Sequence, residues 1–179
     1  MMNTNHKKVE AVTGTSLLLA IALLAQSLRI FFPYLPRVGT QFLIGSLVGM
    51  TEVLAAWRYG LGKGLVIAWV TPCVAFIQGM LPLPLFIPIV GVAASGYVAV
   101  VYYLKCFIGY RLSLVAVVAA LVKCGLAYGG FSLLFIWLVF PLKLQQAILL
   151  SMGWPQIVTG SIGVVLAQFI MRRLLANNR

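Results

Sequence analysis

Six apolar stretches, each close to the length that an α-helix needs to cross a hydrocarbon layer, follow one another through the 179 residues of this chain. They are Thr15–Phe32, Gln41–Trp57, Gly62–Leu81, Phe86–Phe107, Leu112–Phe140 and Gln146–Met171. The separators PYLPRVGT, RYGLGK, PLPL, IGYR and PLKLQ supply Pro, Gly or charge, which end helices. Apolar residues make up 63% of the chain and charged residues 8%, with a mean hydropathy of +1.08. A soluble domain carries about 25% charge, so polar surface is too scarce here to cover a water-soluble fold. The expected class is an all-α integral membrane protein with six transmembrane helices. A polar N-terminal tail occupies residues 1–14, one membrane domain residues 15–171 and a basic tail residues 172–179. The fifth segment is longer than one span requires, so it should tilt or break near Gly125, Gly129 and Gly130.

The net charge of +11 arises from 13 Lys and Arg against two acids, Glu10 and Glu52. In a soluble protein this balance would suggest nucleic acid. Here the cations gather at segment ends, where they set orientation and meet anionic headgroups of the lipid bilayer. Six spans place both termini on one side, with Lys7, Lys8, Arg58, Lys63, Lys105, Arg111, Arg172, Arg173 and Arg179. Arg29, Arg37 and Lys143 fall on the other. By the positive-inside rule both termini are cytoplasmic. The loops PYLPRVGT, LPLPLFIP and PLKLQQ then face outward, and the Pro-rich ones either act as stiff lids over a cavity or simply end the helices. The first apolar segment runs into FFPYLPRVG without a small-residue cleavage motif and reads as a retained span.

Against this background Lys123 is an energetic anomaly. It is the twelfth residue of the fifth segment, roughly 18 Å deep at 1.5 Å per residue. A charge at that depth costs at least about 2.5–3.5 kcal/mol. Glu52, the twelfth residue of the inward-running second segment, lies at a similar level. Three readings stand side by side. The two charges form a structural ion pair, Lys123 binds an anionic group of a ligand, or the lysine snorkels or meets a water-filled cavity.

Other polar strings could complete a site. The sixth segment carries Gly153, Trp154, Pro155, Gln156 and Thr159. Pro155 lacks a backbone donor and can free the carbonyl of Ser151, Gln156 adds an amide, and Trp154 offers a platform for a ring. In the fifth segment Tyr128 precedes the pair Gly129 and Gly130, which admit either a neighbouring helix or a ligand. Ser95 and Tyr97 of the fourth segment can line a pocket, and Thr71, Pro72 and Gln78 of the third make a kink or a polar wall. Ser16, Ala20 and Ala22 give the first segment a small-residue stripe suited to close helix contact.

The exclusions are equally informative. Cys73, Cys106 and Cys124 are widely spaced, and the one histidine, His6, lies in the N-terminal tail. No metal-ligand cluster, cofactor motif or catalytic set is visible, so an enzyme is not expected. There is no Walker motif and no pair of acids of the kind a proton-driven pump uses. A partner would have to supply the energy for uphill transport.

Taken together, FLIGSLVGM, TPCVAFIQGMLPLPLFIPIVG, ALVKCGLAY and GWPQIVTGSIG, in this order within a six-span, termini-in layout, resemble the substrate-binding S components of energy-coupling factor (ECF) transporters. These are bacterial systems for uptake of vitamins and related micronutrients. The resemblance implies an outward-facing pocket that includes Lys123, Tyr128, Trp154, Gln156, Ser95 and Gln41, with Glu52 as the rival partner of Lys123. It implies a bacterial plasma-membrane location and partnership with a membrane scaffold subunit and two ATPase subunits. Ser16, Ala20 and Ala22 resemble an alanine-rich docking surface for the scaffold. The competing expectation is an autonomous secondary transporter or small channel that uses Glu52 and Lys123.

Overall fold

An apolar solvent offers the backbone no hydrogen-bond partners, so apolar segments pair their own amides and fold as helices. The computed structural model describes residues 4–32, 34, 36–138 and 140–176. Its elements are α1 (Thr4–Phe31), α2 (Arg37–Tyr59), α3 (Leu61–Ile77), α4 (Phe86–Tyr103), a 3-10 turn (Leu104–Phe107), α5 (Ile108–Trp137), α6 (Leu142–Met152) and α7 (Pro155–Ala176). No strand occurs among the described residues. Five helical stretches are long and apolar enough to cross a membrane: α1, α2, α4, α5 and the α6–α7 stretch. α3 is a shorter apolar helix of 17 residues.

Three boundaries differ from the sequence expectation. α1 begins at Thr4, so most of the polar tail is helical, and Glu10 pairs with Arg58 of α2 at 3.2 Å. α5 runs unbroken past Gly125, Gly129 and Gly130, and its non-helical residue is Arg111 (φ −142°, ψ 50°). A glycine lowers helix stability by only about 1 kcal/mol, less than an unpaired amide in apolar surroundings costs. The interruption therefore falls at the segment's charged end. Finally, the sixth segment is two helices. Gly153 (φ −91°, ψ −101°) closes α6, where a Cβ would stand 2.6 Å from the carbonyl oxygen of Leu149. Pro155 opens α7 at its first residue, where a missing N–H costs least.

α2 is the central element, packed by α1, α3, α4 and α7. Its approach to α7 depends on absent side chains. A Cβ on Gly163 would lie 3.1 Å from backbone atoms of Gly49 and Met50, and one on Gly45 would lie 2.8 Å from Thr159. Gly64 of α3 is similarly enclosed, since its Cβ would meet Ala56 and Val98 at 2.8 Å. Small residues permit such backbone proximity, and the resulting van der Waals contact binds helices where lipid supplies no hydrophobic drive. The α2–α3 connection is a single residue, Gly60, at φ 99° and ψ 161°, a region that only glycine enters without strain.

The charged helix ends collect together. Arg58 meets Glu10, and Lys105 Nζ donates to the carbonyl of Trp57 at 2.8 Å, close to the C-terminus of α2. Leu104, Leu112 and Met171 pack near the same turn in one hydrophobic cluster. A second cluster, including Leu81, Phe86, Phe131 and Ile148, fills the opposite end. Members of this second cluster, Leu81, Phe86 and Ile148, also border the site.

The glycines divide into two groups that substitution should separate. Gly163→Leu and Gly64→Leu are expected to lower stability by about 1–3 kcal/mol through overpacking. Gly125→Ala and Gly129→Ala, where a Cβ meets nothing within 4 Å, should be neutral or stabilise by about 0.5–1 kcal/mol. Thermal unfolding of the detergent-purified variants measures both.

Candidate functional site

One face of α2 brings Gln41, Ile44, Gly45, Val48 and Glu52 onto the wall of a cavity of about 470 Å³. Their spacing follows the helical repeat, so a single helix runs the length of the cavity. That length, from Gln41 to Glu52, is about 16 Å at 1.5 Å per residue. The volume lies within the usual range for small-molecule sites, about 300–1,000 Å³. Gln26 and Arg29 of α1, Thr71 of α3, Lys123 of α5, Ser151 of α6 and Gln156 of α7 supply its other polar surfaces. The Pro-rich connection contributes Met80, Leu81 and Pro82, so this loop helps to enclose the cavity.

At the deep end Lys123 Nζ stands 3.8 Å from Glu52 Oε2. The two residues are 7% and 1% exposed. This is charge contact, but it is longer than a hydrogen bond, and Glu52 Oε2 is left without a hydrogen-bond partner among the described residues. Lys123 also lies over the ring of Tyr97, 4.8 Å from its centroid, an arrangement that favours a cation electrostatically. Tyr97 is fully buried and donates its hydroxyl to the carbonyl of Gly160 at 2.8 Å. α4 thus supplies an aromatic surface beneath the lysine while joining α7.

Two further polar contacts shape the wall. The carbonyl of Ser151, deprived of the Pro155 amide, accepts from Gln41 Nε2 at 2.7 Å. Gln26 Nε2 donates to the carbonyl of Thr71 at 3.1 Å, which ties α1 to α3. Beside it Gln78 Nε2 donates to Ser27 Oγ at 3.2 Å. Among the described residues no three His, Cys, Asp or Glu side chains gather to hold a metal ion.

Of the seven residues that the family resemblance brought forward, Lys123, Glu52, Gln41 and Gln156 come together on this cavity, beside Thr71, Pro72, Pro155 and Thr159 of the other polar strings. The other three do not line it. Tyr128 is half exposed on the outside of α5, and Trp154, also half exposed, packs its ring 5.6 Å from that of Phe42. Trp154 sits in the α6–α7 break, and Tyr128 of α5 comes near Gly153 of the same break. Ser95 belongs to α4, with its Oγ buried and unpartnered away from the cavity. Gly130 serves helix packing, since its Cβ would stand 2.6 Å from Ile89. Ala22 is fully buried in a cluster with Val48, Ala55 and Ile67. Ser16 and Ala20 alone of that stripe remain on the surface.

Gln26 and Arg29 are the residues that sequence reading missed. The signal was present, because a glutamine in an apolar run followed three residues later by an arginine places two polar groups on one helix face. Arg29 weighed in that reading only as a topological charge.

No family model matches the chain, and no curated protein or solved structure does so either. Fold and site by themselves define an all-helical chain with several membrane-length helices and a buried cavity that contains a lysine–glutamate pair.

The pair is expected to act as a unit. Lys123→Met should destabilise the protein by about 3 kcal/mol, because it leaves a buried carboxylate without its cation. Adding Glu52→Gln should recover most of that loss, and a double-mutant cycle on thermal unfolding reads the coupling.

Proposed function

We propose that this chain is the substrate-binding subunit of an ECF-type importer in the bacterial cytoplasmic membrane. It would capture a vitamin or related micronutrient from outside and deliver it through a scaffold subunit and two ATPase subunits. The observation that carries this reading is the cavity of about 470 Å³, with polar amides and a buried ion pair, set away from the cationic helix ends. The positive-inside rule directs those cationic ends to the cytoplasm. The α1–α2 connection, the loop of Met80–Pro82 and α6 then face outward, where a solute arrives. The sequence holds no P-loop, so the energy for uptake comes from the partner ATPases.

A second reading has one specific observation in its favour. The Lys123–Glu52 contact is loose and lines the cavity, so a proton or small cation could separate the two charges, as an autonomous secondary transporter requires.

Two measurements divide these readings. The detergent-purified chain should retain one or more compounds saturably from a dialysable small-molecule extract, whereas proteoliposomes with this chain alone should accumulate none of them under a pH gradient. Co-reconstitution with an ECF scaffold and its ATPases should start ATP-dependent uptake. Uptake by the chain alone, abolished by Glu52→Gln, would select the secondary transporter. Absence of any saturable binding would sink both.

A further inference from the structure

Among the described residues, the buried polar side-chain atoms of the cavity wall left without a partner are both acceptors, Gln26 Oε1 and Glu52 Oε2. A glutamine beside a backbone carbonyl must turn its NH2 group to it, since the carbonyl can only accept. Gln26 and Gln41 are both fixed in this way, on Thr71 and Ser151. Gln26 Oε1 is left buried and unpartnered, in a side chain only 6% exposed. The hydroxyl protons are likewise committed, as helix hydroxyls commonly bond back to the preceding turn. Thr71 donates to Ile67 at 2.9 Å, Ser151 to Ile148 at 3.1 Å and Thr159 to Gln156 at 3.4 Å. Their oxygens retain free lone pairs. Glu52 Oε2 is a second buried acceptor with no hydrogen-bond partner among the described residues. Buried unpaired acceptors are costly, and a bound molecule that carries N–H or O–H donors would remove that cost.

The cations are arranged differently. Lys123 sits against Glu52 and largely offsets it. Arg29 makes no ion pair or hydrogen bond among the described residues, although it lines the same cavity. It stands two residues before the end of α1, one turn beyond Gln26 and at the opposite end of the cavity from Glu52. Two cations against one carboxylate leave one net positive charge, and that charge is at the mouth.

From this we infer that the cavity takes a small monoanion with a donor-bearing head. Ureido or amide N–H groups would meet Glu52 at the floor, Gln26 Oε1 would accept a further donor along the wall, and a carboxylate would meet Arg29 at the mouth. The inference rests on the reading of the chain as a substrate-binding subunit, and it names that subunit's ligand chemistry. Lys123 then has a different task from the one its sequence position suggests. It holds the Glu52 charge and donates to the carbonyl of the head group, while Arg29 takes the anion. Other ligand classes fit less well. A cation would be repelled by two positive side chains, an apolar molecule would leave both orphan acceptors unpaired, and a phosphate monoester brings a charge near −2, one more than the wall neutralises.

The test uses the full chain in detergent and titration calorimetry with four defined probes: 6-ureidohexanoate, its methyl ester, 6-ureidohexylamine and hexanoate. The ureido acid should bind saturably. Loss of the charge in the ester, its reversal in the amine and loss of the head in hexanoate should each weaken binding by about tenfold or more. Arg29→Gln should abolish the preference for acid over ester, and Arg29→Lys should keep most of it. The comparison of acid with ester on the unaltered protein reads the same contact, so the outcome does not depend on how the variants fold. Equal binding of acid and ester, stronger binding of the amine, equal binding of hexanoate, or no saturable binding of any probe would overturn the inference. The reading beneath it has its own measure. Retention of a cationic or apolar compound from the small-molecule extract would refute the donor-headed monoanion and leave a binding subunit standing, whereas retention of nothing would remove both.

Discussion

A carboxylate and an ammonium inside a low-dielectric bundle must be close to one another, because neither survives there without compensation. That constraint links α2 to α5 across the bundle through their side chains, and Tyr97 of α4 lies beneath the ammonium while its hydroxyl reaches α7. Four helices are therefore registered around one charged contact. The contact is longer than a hydrogen bond and leaves an acceptor unpaired. A structure built only for stability would close that gap or replace the pair with apolar side chains, which is often neutral or favourable. The open geometry leaves both charged residues on the cavity wall.

The second organising device is the removal of side chains. Glycines on α2, α3 and α7 let backbones approach at distances no Cβ would tolerate, and this proximity holds α7 along the cavity wall. Pro155 and Gly153 do the complementary work at the other end of the same helix. They end α6, start α7 and release the carbonyl of Ser151, which then fixes the Gln41 amide. Once fixed, that amide keeps its oxygen and its second N–H for other partners. The helix break thus orients one of the polar groups on the cavity wall.

Much of this was legible from individual residues. Lys123 and Glu52 had to be explained as soon as each was seen inside an apolar segment, and their matching depth made contact an available explanation. The freed carbonyl of Ser151 followed from Pro155, although its acceptance from Gln41 did not, because the two residues are far apart in the chain. Tyr128 and Trp154 suggested a pocket by residue type, yet both are half exposed and neither lines the cavity. Gln26 and Arg29 were undervalued because their polar character was readable while the face they turn inward was not.

By itself, then, the sequence determined a helical class with several helices of membrane-spanning length, the approximate segments and the existence of a problem charge within an apolar segment, because length, hydropathy and the cost of burying charge are local properties. Tertiary structure alone decided which helices share the cavity, that the sixth segment divides in two, and that Arg29, unlike Lys123, lines the cavity without an ion pair among the described residues. Those outcomes depend on which side chains meet across the bundle, and a pairing between distant segments has no local physical signature.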